Sequence, residues 1–325
     1  MPTEEVAFPS FWNVEDNDMT QNRFAEIPYL PGARRSFLAL SLLLLTVLPV
    51  AGQTPQDVRP VVGRNVVHTV KQGESMFTIA QKYGLAVDHL AFANGFSPVT
   101  VEIDPGEVLI VPKERILPKN PPANGLVLNL PERGLYFFRN GKYDRFIPVS
   151  IGDEKGFQTP TGQYHIIERI KDPTWYPPSW AKEKGPIGPG PKNPLGTHWI
   201  GLSLTRTGIH GTNQPLNIGN SVTHGCIRAY PEAVKKLFAD VKVGWPVRIE
   251  YETAKLGKSQ DGSLKLVTFP DVYKKSDPEV ATRKLLGGEL PQGLAPLVAM
   301  DLGVTMGLRR ERPLGLEIKE RAILR

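Results

Sequence analysis

Residues 126–152 run LVLNLPERGLYFFRNGKYDRFIPVSIG, and this stretch decides the fold. Three runs of β-branched, aromatic and aliphatic residues are separated by turn residues, and Asn140-Gly141 is the two-residue pair that a tight hairpin favours. The pattern continues. "TPTG" at 159–162 marks another turn and precedes an apolar segment, Tyr164–Ile167, after which "THWIGLSL" (197–204) and "GWPVRIEY" (244–251) supply further strands. Val234, Leu237 and Phe238 have helical spacing and predict one helix over Pro231–Val241. Strands and helices do not alternate, so a doubly wound parallel sheet is excluded and a mainly β domain is expected over 126–251.

The 325 residues leave room for two or three domains. Upstream, Val66–Val70 alternates as a strand, Lys71–Glu74 is a turn, and Ser75 can cap a helix that Gly84 stops. A second helix over Val87–Ala93 and a strand over Val108–Pro112 complete a small α+β module, 66–112, in the order βααβ. Residues 53–65 and the Pro-rich 113–125 are expected to be linkers. Residues 252–325 form a C-terminal extension of unassigned role, with a short helix expected over 278–288.

Phe37–Ala51 is an apolar run of about 15 residues behind Arg34-Arg35 and ahead of Gly52-Gln53. Its length and Pro49 favour a cleaved signal peptide within 1–52 over a spanning helix, which needs about 20 residues. Export through the general or the twin-arginine route, a start at Met19 and a mature end near Gln53 are all compatible with it. Membrane contact is expected only through an uncleaved signal segment. The net charge of +6 is scattered. It forms no aromatic-interleaved basic stripe, so nucleic acid is excluded as a partner.

Chemistry concentrates in residues 208–230, GIHGTNQPLNIGNSVTHGCIRAY, which hold two of six histidines and Cys226, the only cysteine. A lone cysteine cannot form an internal disulfide; a thiol becomes a good nucleophile once an imidazole takes its proton. His210 and His224 are both candidates for that base: His224, two residues before Cys226, shares its face if the segment is an extended strand, whereas His210, sixteen residues away, must be brought in by a hairpin or loop. Gly225 lets backbone approach a ligand, making the Gly225 and Cys226 amides candidate oxyanion donors, and Arg228 falls on the Cys226 face if the segment is extended. By spacing alone, a cysteine and two histidines also suit a zinc site.

His210-Gly211-Thr212, followed by Thr223-His224-Gly225-Cys226-Ile227-Arg228, resembles the signature of L,D-transpeptidase catalytic domains. "TPTGQYHI" (159–166), the long segment 172–202 and "LVLNLPERGLYFF" extend the likeness over 126–250. The resemblance implies a β-sandwich-like fold and no metal or cofactor. It makes Cys226 the nucleophile and His210 the general base, oriented by the Gly211 carbonyl, with His224 beside them. Arg228, Thr223, Gly225 and Thr212 would line the substrate site, with Trp175 and Tyr176 on a loop over it. "HTVKQGESMFTIAQKYGLAVDHLAFANG" and "PGEVLIVP" resemble a LysM domain, implying glycan binding near Gly73, Glu74, Ser75 and Asn94. His68, His89, His165 and His198 are expected to be structural. Together these readings imply an exported enzyme of the periplasm or cell wall whose partner is peptidoglycan. The implied reaction is acyl transfer, in which a tetrapeptide stem forms a thioester on Cys226 as its terminal D-alanine leaves and an amine of a second stem or another acceptor then takes the acyl group. Hydrolysis of the same bond, as a carboxypeptidase, or wall binding without catalysis are the alternatives.

Overall fold

The computed structural model describes residues 57–96, 102–153, 155–287 and a strand at 306–308. The signal-like run Phe37–Ala51, the alternative start and the exit near Gln53 lie outside the described residues. Among the described residues, no helix is long and apolar enough to cross a membrane.

The chain opens with β1 (Val58–Val62) and then builds the small module from β2 (Val66–Thr69), α1 (Met76–Tyr83), α2 (Val87–Phe92) and β3 (Val108–Val111). β2 and β3 pair antiparallel, with His68 opposite Leu109. Helix α1 starts where Ser75 and Thr78 cap one another reciprocally, and it ends at Gly84, which takes the left-handed conformation at φ 64°. Met76, Ile79, Leu85, Leu90, Leu109 and Val111 close a core of their own.

There follow β4 (Arg115–Ile116), β5 (Gly125–Asn129), β6 (Gly134–Arg139), β7 (Lys142–Gly152), β8 (Gly162–Lys171), β9 (His198–Leu202), β10 (Gly208–His210), β11 (Ser221–Thr223) and β12 (Ile227–Ala229). Helix α3 (Pro231–Asp240) and β13 (Pro246–Glu250) complete this region. The sheet order is β11-β7-β12-β10-β9-β8-β13-β5-β6, and a further β6–β7 pairing links its last strand to its second. Asn140 (φ 52°) and Gly141 (φ 73°) both take positive φ between β6 and β7, as a primed hairpin turn demands. The domain is mainly β. Its sheet is mixed, because β5–β13, β10–β12 and β7–β11 run parallel. Leu126, Leu128, Phe137, Ile147, Ile200, Ile209 and Ile227 form the core together with Val234 and Leu237 of α3.

A second sheet, in the order β16-β15-β14-β1-β4, is completed by β14 (Ala254–Lys258), β15 (Leu264–Thr268) and β16 (Met306–Leu308), with α4 (Pro278–Leu286) between the last two. Both segments expected to be linkers therefore contribute strands. Val58 pairs with Leu256 and Val62 with Arg115, partners too distant in sequence to leave a local pattern. This layer also explains why every residue of β5 is buried rather than alternate ones. Val127, Tyr136 and Phe138 form a second cluster, separate from the Leu126–Leu128 core.

Between the layers lies an ion pair. Lys255, fully buried, donates to Glu132 at 2.6 Å, and Tyr136 donates to the other oxygen of Glu132 at 2.7 Å. Burial opposes ionisation of Glu132, yet the Lys255 and Arg115 charges hold its carboxyl below the ordinary range. The small module docks beside it rather than hanging from a tether. Arg133 pairs with Asp88 at 2.6 Å, the His89 Nε2–H donates to the Glu132 carbonyl at 3.1 Å, and the Tyr230 hydroxyl donates to the Leu85 carbonyl at 3.2 Å. Truncating one partner of a buried pair strands the other charge, so Lys255→Ala is expected to lower the unfolding free energy by about 3–5 kcal/mol. Urea unfolding of the two proteins checks this.

Candidate active site

Strands β10 and β12 lie side by side in parallel, with Ile209 opposite Ile227 and His210 opposite Arg228. Ile209 and Ile227 are fully buried in the core. Because successive side chains point to opposite faces, His210 and Arg228 emerge together on the outer face. The parallel pairing thus closes the gap of sixteen residues between His210 and Cys226, and Cys226 follows on the same face, one residue before β12.

The outer face is the floor of a cleft of about 1280 Å³, lined by His210, Cys226, Arg228, His224, Thr223 and Trp199 among others. Trp175, Tyr176 and Trp180 line it from the 173–194 loop. The loop is braced by a bridge between Trp175 and Ile187 and by Asn193, whose side chain donates to the Pro173 carbonyl at 2.7 Å. Among the described residues, no three His, Cys, Asp or Glu side chains converge as metal donors.

His210 is 3% exposed, and its Nδ1–H donates to the Gly211 carbonyl at 2.6 Å, which leaves Nε2 as the acceptor nitrogen. Burial, together with the Arg228 cation, pushes its pKa down to about 3. Cys226 moves the other way. Burial raises its thiol, outweighing the Gly208 amide and Arg228, and the thiol donates to the Arg206 carbonyl at 3.6 Å. Thiol and imidazole are therefore both neutral at rest.

Gly225 has φ 102°, so residues 224–226 turn rather than extend, and the expected common face for His224 and Cys226 does not form there. Extension resumes at Ile227. His224 instead lies flat against Trp180, ring centroids 3.6 Å apart and 7° from parallel, with Phe157 edge-on at 4.2 Å. Burial, helped by Arg228, lowers its pKa as well.

The turn is held from behind. Thr223 donates to the Cys226 carbonyl at 2.6 Å, and Thr159 donates to the Gly225 carbonyl at 3.0 Å while accepting from the Gly152 amide. The hydroxyl of Tyr273, from the C-terminal extension, accepts from the Thr159 amide and donates to the Gly152 carbonyl at 2.7 Å. Sequence reasoning missed Thr159, Tyr273, Phe157 and Trp180's contact; only the "TPTG" likeness pointed towards the first. Thr212 accepts from the Gln214 amide through its hydroxyl.

Residues 123–249 match the family described as the L,D-transpeptidase catalytic domain, and residues 68–112 match the LysM domain. "Probable L,D-transpeptidase YbiS" of Escherichia coli K12 is 33% identical over 233 residues, covering 67% of this chain and 74% of that protein. The chain belongs to the L,D-transpeptidase family. "Probable L,D-transpeptidase ErfK/SrfK" of Salmonella typhimurium is 31% identical over 229 residues, 66% of this chain and 73% of the relative. The solved L,D-transpeptidase 3 of Mycobacterium tuberculosis, in complex with a faropenem-derived adduct, aligns over 60% of this chain and 95% of its own at 16% identity and a TM-score of 0.34.

The four residues expected to meet glycan in the LysM domain are all engaged internally or shape a turn. Glu74 accepts from the Lys71 amide and faces His68 at 2.7 Å, and Ser75 caps α1. Asn94 clamps both the amide and the carbonyl of Ile110, and Gly73 turns at φ 81°.

A depressed His210 pKa places the neutral imidazole in the native state. Its contribution to stability is complete above the ordinary histidine pKa of about 6.5 and is lost as pH falls from there towards 3. In the native protein, NMR titration of His210 is expected to show no transition between pH 8 and 4.5.

Proposed function

We propose that this transpeptidase forms peptidoglycan crosslinks through a thioester on Cys226. The observation that carries the reading is the shared outer face of β10 and β12, which brings His210, Arg228 and Cys226 to one cleft. The thiol attacks the carbonyl before the terminal D-alanine of a tetrapeptide stem. Its proton passes to Nε2 of His210, and His210 then protonates the departing D-alanine. An amine of a second stem attacks the thioester, His210 takes its proton, and the thiol is restored with a new amide bond. The amides of Gly225 and Cys226 receive the developing oxyanion, in a turn that Thr223 and Thr159 brace. Arg228 holds a substrate carboxylate. His224, packed between two rings, fixes the cleft wall.

Gly211 sets the tautomer of His210 by accepting from Nδ1. Thr212 supports the bend after β10, and Trp175 and Tyr176 shape the loop over the stem. The LysM domain holds the enzyme on glycan, with Gly73, Glu74, Ser75 and Asn94 shaping its binding edge. Export through the segment within 1–52 delivers the enzyme to the periplasm or wall, where that polymer resides. We place the domain limits at 66–112 and 126–251. Hydrolysis is the second reading, since water can reach any acyl-enzyme in so open a cleft.

Incubation with disaccharide-tetrapeptide is expected to release D-alanine and form crosslinked dimer, detected by mass spectrometry; tripeptide alone would assign hydrolysis instead. Cys226→Ser is expected to abolish the mass increase that a carbapenem leaves on the native protein. His210→Gln is expected to slow that acylation by about 10²–10⁴-fold with the fold intact. Acylation at native rate in either variant would reject this assignment.

A further inference from the structure

On the cleft floor beside His210, an indole and a carboxylate form a fixed pair that the acyl-transfer steps above leave unused. Trp199 is the register partner of His210 on β9, and their rings stack with centroids 5.7 Å apart. Its Nε1–H donates to Glu168 of β8 at 2.8 Å. Two glycines clear the space for this pair. A Cβ at Gly208 would lie 2.6 Å from the Trp199 ring, and one at Gly201 would lie 2.5 Å from Glu168 Cγ and 2.7 Å from its Oε1. Glu168 and Gly201 are register partners, as are Gly201 and Gly208. One row across the sheet thus runs from the carboxylate over two side-chain-free positions towards the thiol.

The cleft is also electrically polar along this row. Arg228 stands at the Cys226 end, whereas Glu168 stands at the other; of the remaining charged lining residues, Arg206 precedes β10, and Glu183 and Lys192 belong to the 173–194 loop. One Glu168 oxygen is occupied by the indole, and the exposed carboxylate keeps further acceptor capacity for a cation. We propose that Glu168, braced by Trp199, is the counter-ion for a primary ammonium of the peptide in the cleft. This deepens, and rests on, the reading of Cys226 as acyl carrier.

Distance selects among the amines of that peptide. The Glu168 carboxylate leans over Gly201, two strand spacings or about 10 Å from the strand that follows Cys226. An attacking amine must come within about 3–3.5 Å of the thioester carbon, so it cannot stay on Glu168 while it reacts. An ammonium at the end of a flexible side chain on the acylated residue fits the separation. Glu168 therefore reads the acyl donor and orients its carbonyl over the thiol.

The test uses the full chain and two tetrapeptide donors that differ only in whether the side-chain amine of the acylated residue is free or acetylated. A β-lactam lacking any basic group is the control. Rates of acyl-enzyme formation are read by intact mass, and transfer to an amine-bearing stem is read in a second step. The native protein is expected to prefer the free amine about tenfold in kcat/KM. Glu168→Gln keeps an acceptor for the indole and is expected to lose that preference, with β-lactam acylation unchanged. Loss confined to the transfer step would overturn the proposal, because an amine that reacts at the thioester cannot sit on Glu168. Preference and transfer both retained in Glu168→Gln would overturn the proposal, as would an equal fall in β-lactam acylation, which would reduce Glu168 to a brace for Trp199. A native protein that takes no acyl group from any of the three would overturn the Cys226 reading and this proposal with it.

Discussion

The parallel ladder between Gly208–His210 and Ile227–Ala229 is the constraint on which the site depends. Its register is anchored by Ile209 and Ile227, each of which gains about 1.5–3 kcal/mol from complete burial. Slipping either strand by one residue would drive an imidazole or a guanidinium into the core, a cost no surface interaction could offset. The arrangement of His210, Arg228 and Cys226 therefore follows from hydrophobic packing on the opposite face, and needs no direct attraction among the three. The same alternation sets Trp199 and Glu168 in place across β9 and β8.

Electrostatics at the site work against a standing ion pair. Burial disfavours both thiolate and imidazolium, and Arg228 helps the sulfur while opposing a second cation on His210. Charge separation in the empty cleft is thus unfavourable on two counts. A substrate carboxylate bound by Arg228 would offset the cation that, after burial, holds His210 down, and would equally withdraw its support from the thiolate, so Arg228 moves the donor and the acceptor in the same direction. A neutral resting thiol is also less prone to oxidation than a thiolate.

The local signals in the sequence correspond to local structure. Asn140-Gly141 turns the hairpin, Ser75 and Gly84 bracket α1, and Pro231 opens α3. Residues 208–230 are conspicuous because they gather Cys226 with two histidines. What could not be read was non-local. Nothing near Val58 announces a strand partner at Leu256, and nothing near Tyr273 announces that its hydroxyl bridges Gly152 and Thr159. The sandwiching of His224 between Trp180 and Phe157 depends on two loops meeting, and a strand pattern drawn through residues 224–228 missed the turn at Gly225. Alternation failed in β5 for a related reason: a second layer buries the face that a single sheet would leave wet.

That second layer changes what the chain outside the catalytic core does. The segments on either side of the LysM domain are strands of one sheet with the C-terminal extension, and the extension reaches through Tyr273 to the back of the Cys226 turn. The LysM domain is in turn pinned by Asp88–Arg133 and Tyr230, two residues beyond Arg228. A module on a slack linker would raise only the local concentration of stems. A docked module also fixes direction, because a glycan strand held on it would approach the cleft along one line, and orientation lowers a reaction barrier beyond what concentration can. Entry strands, LysM domain and C-terminal extension thereby act as one frame around the thiol.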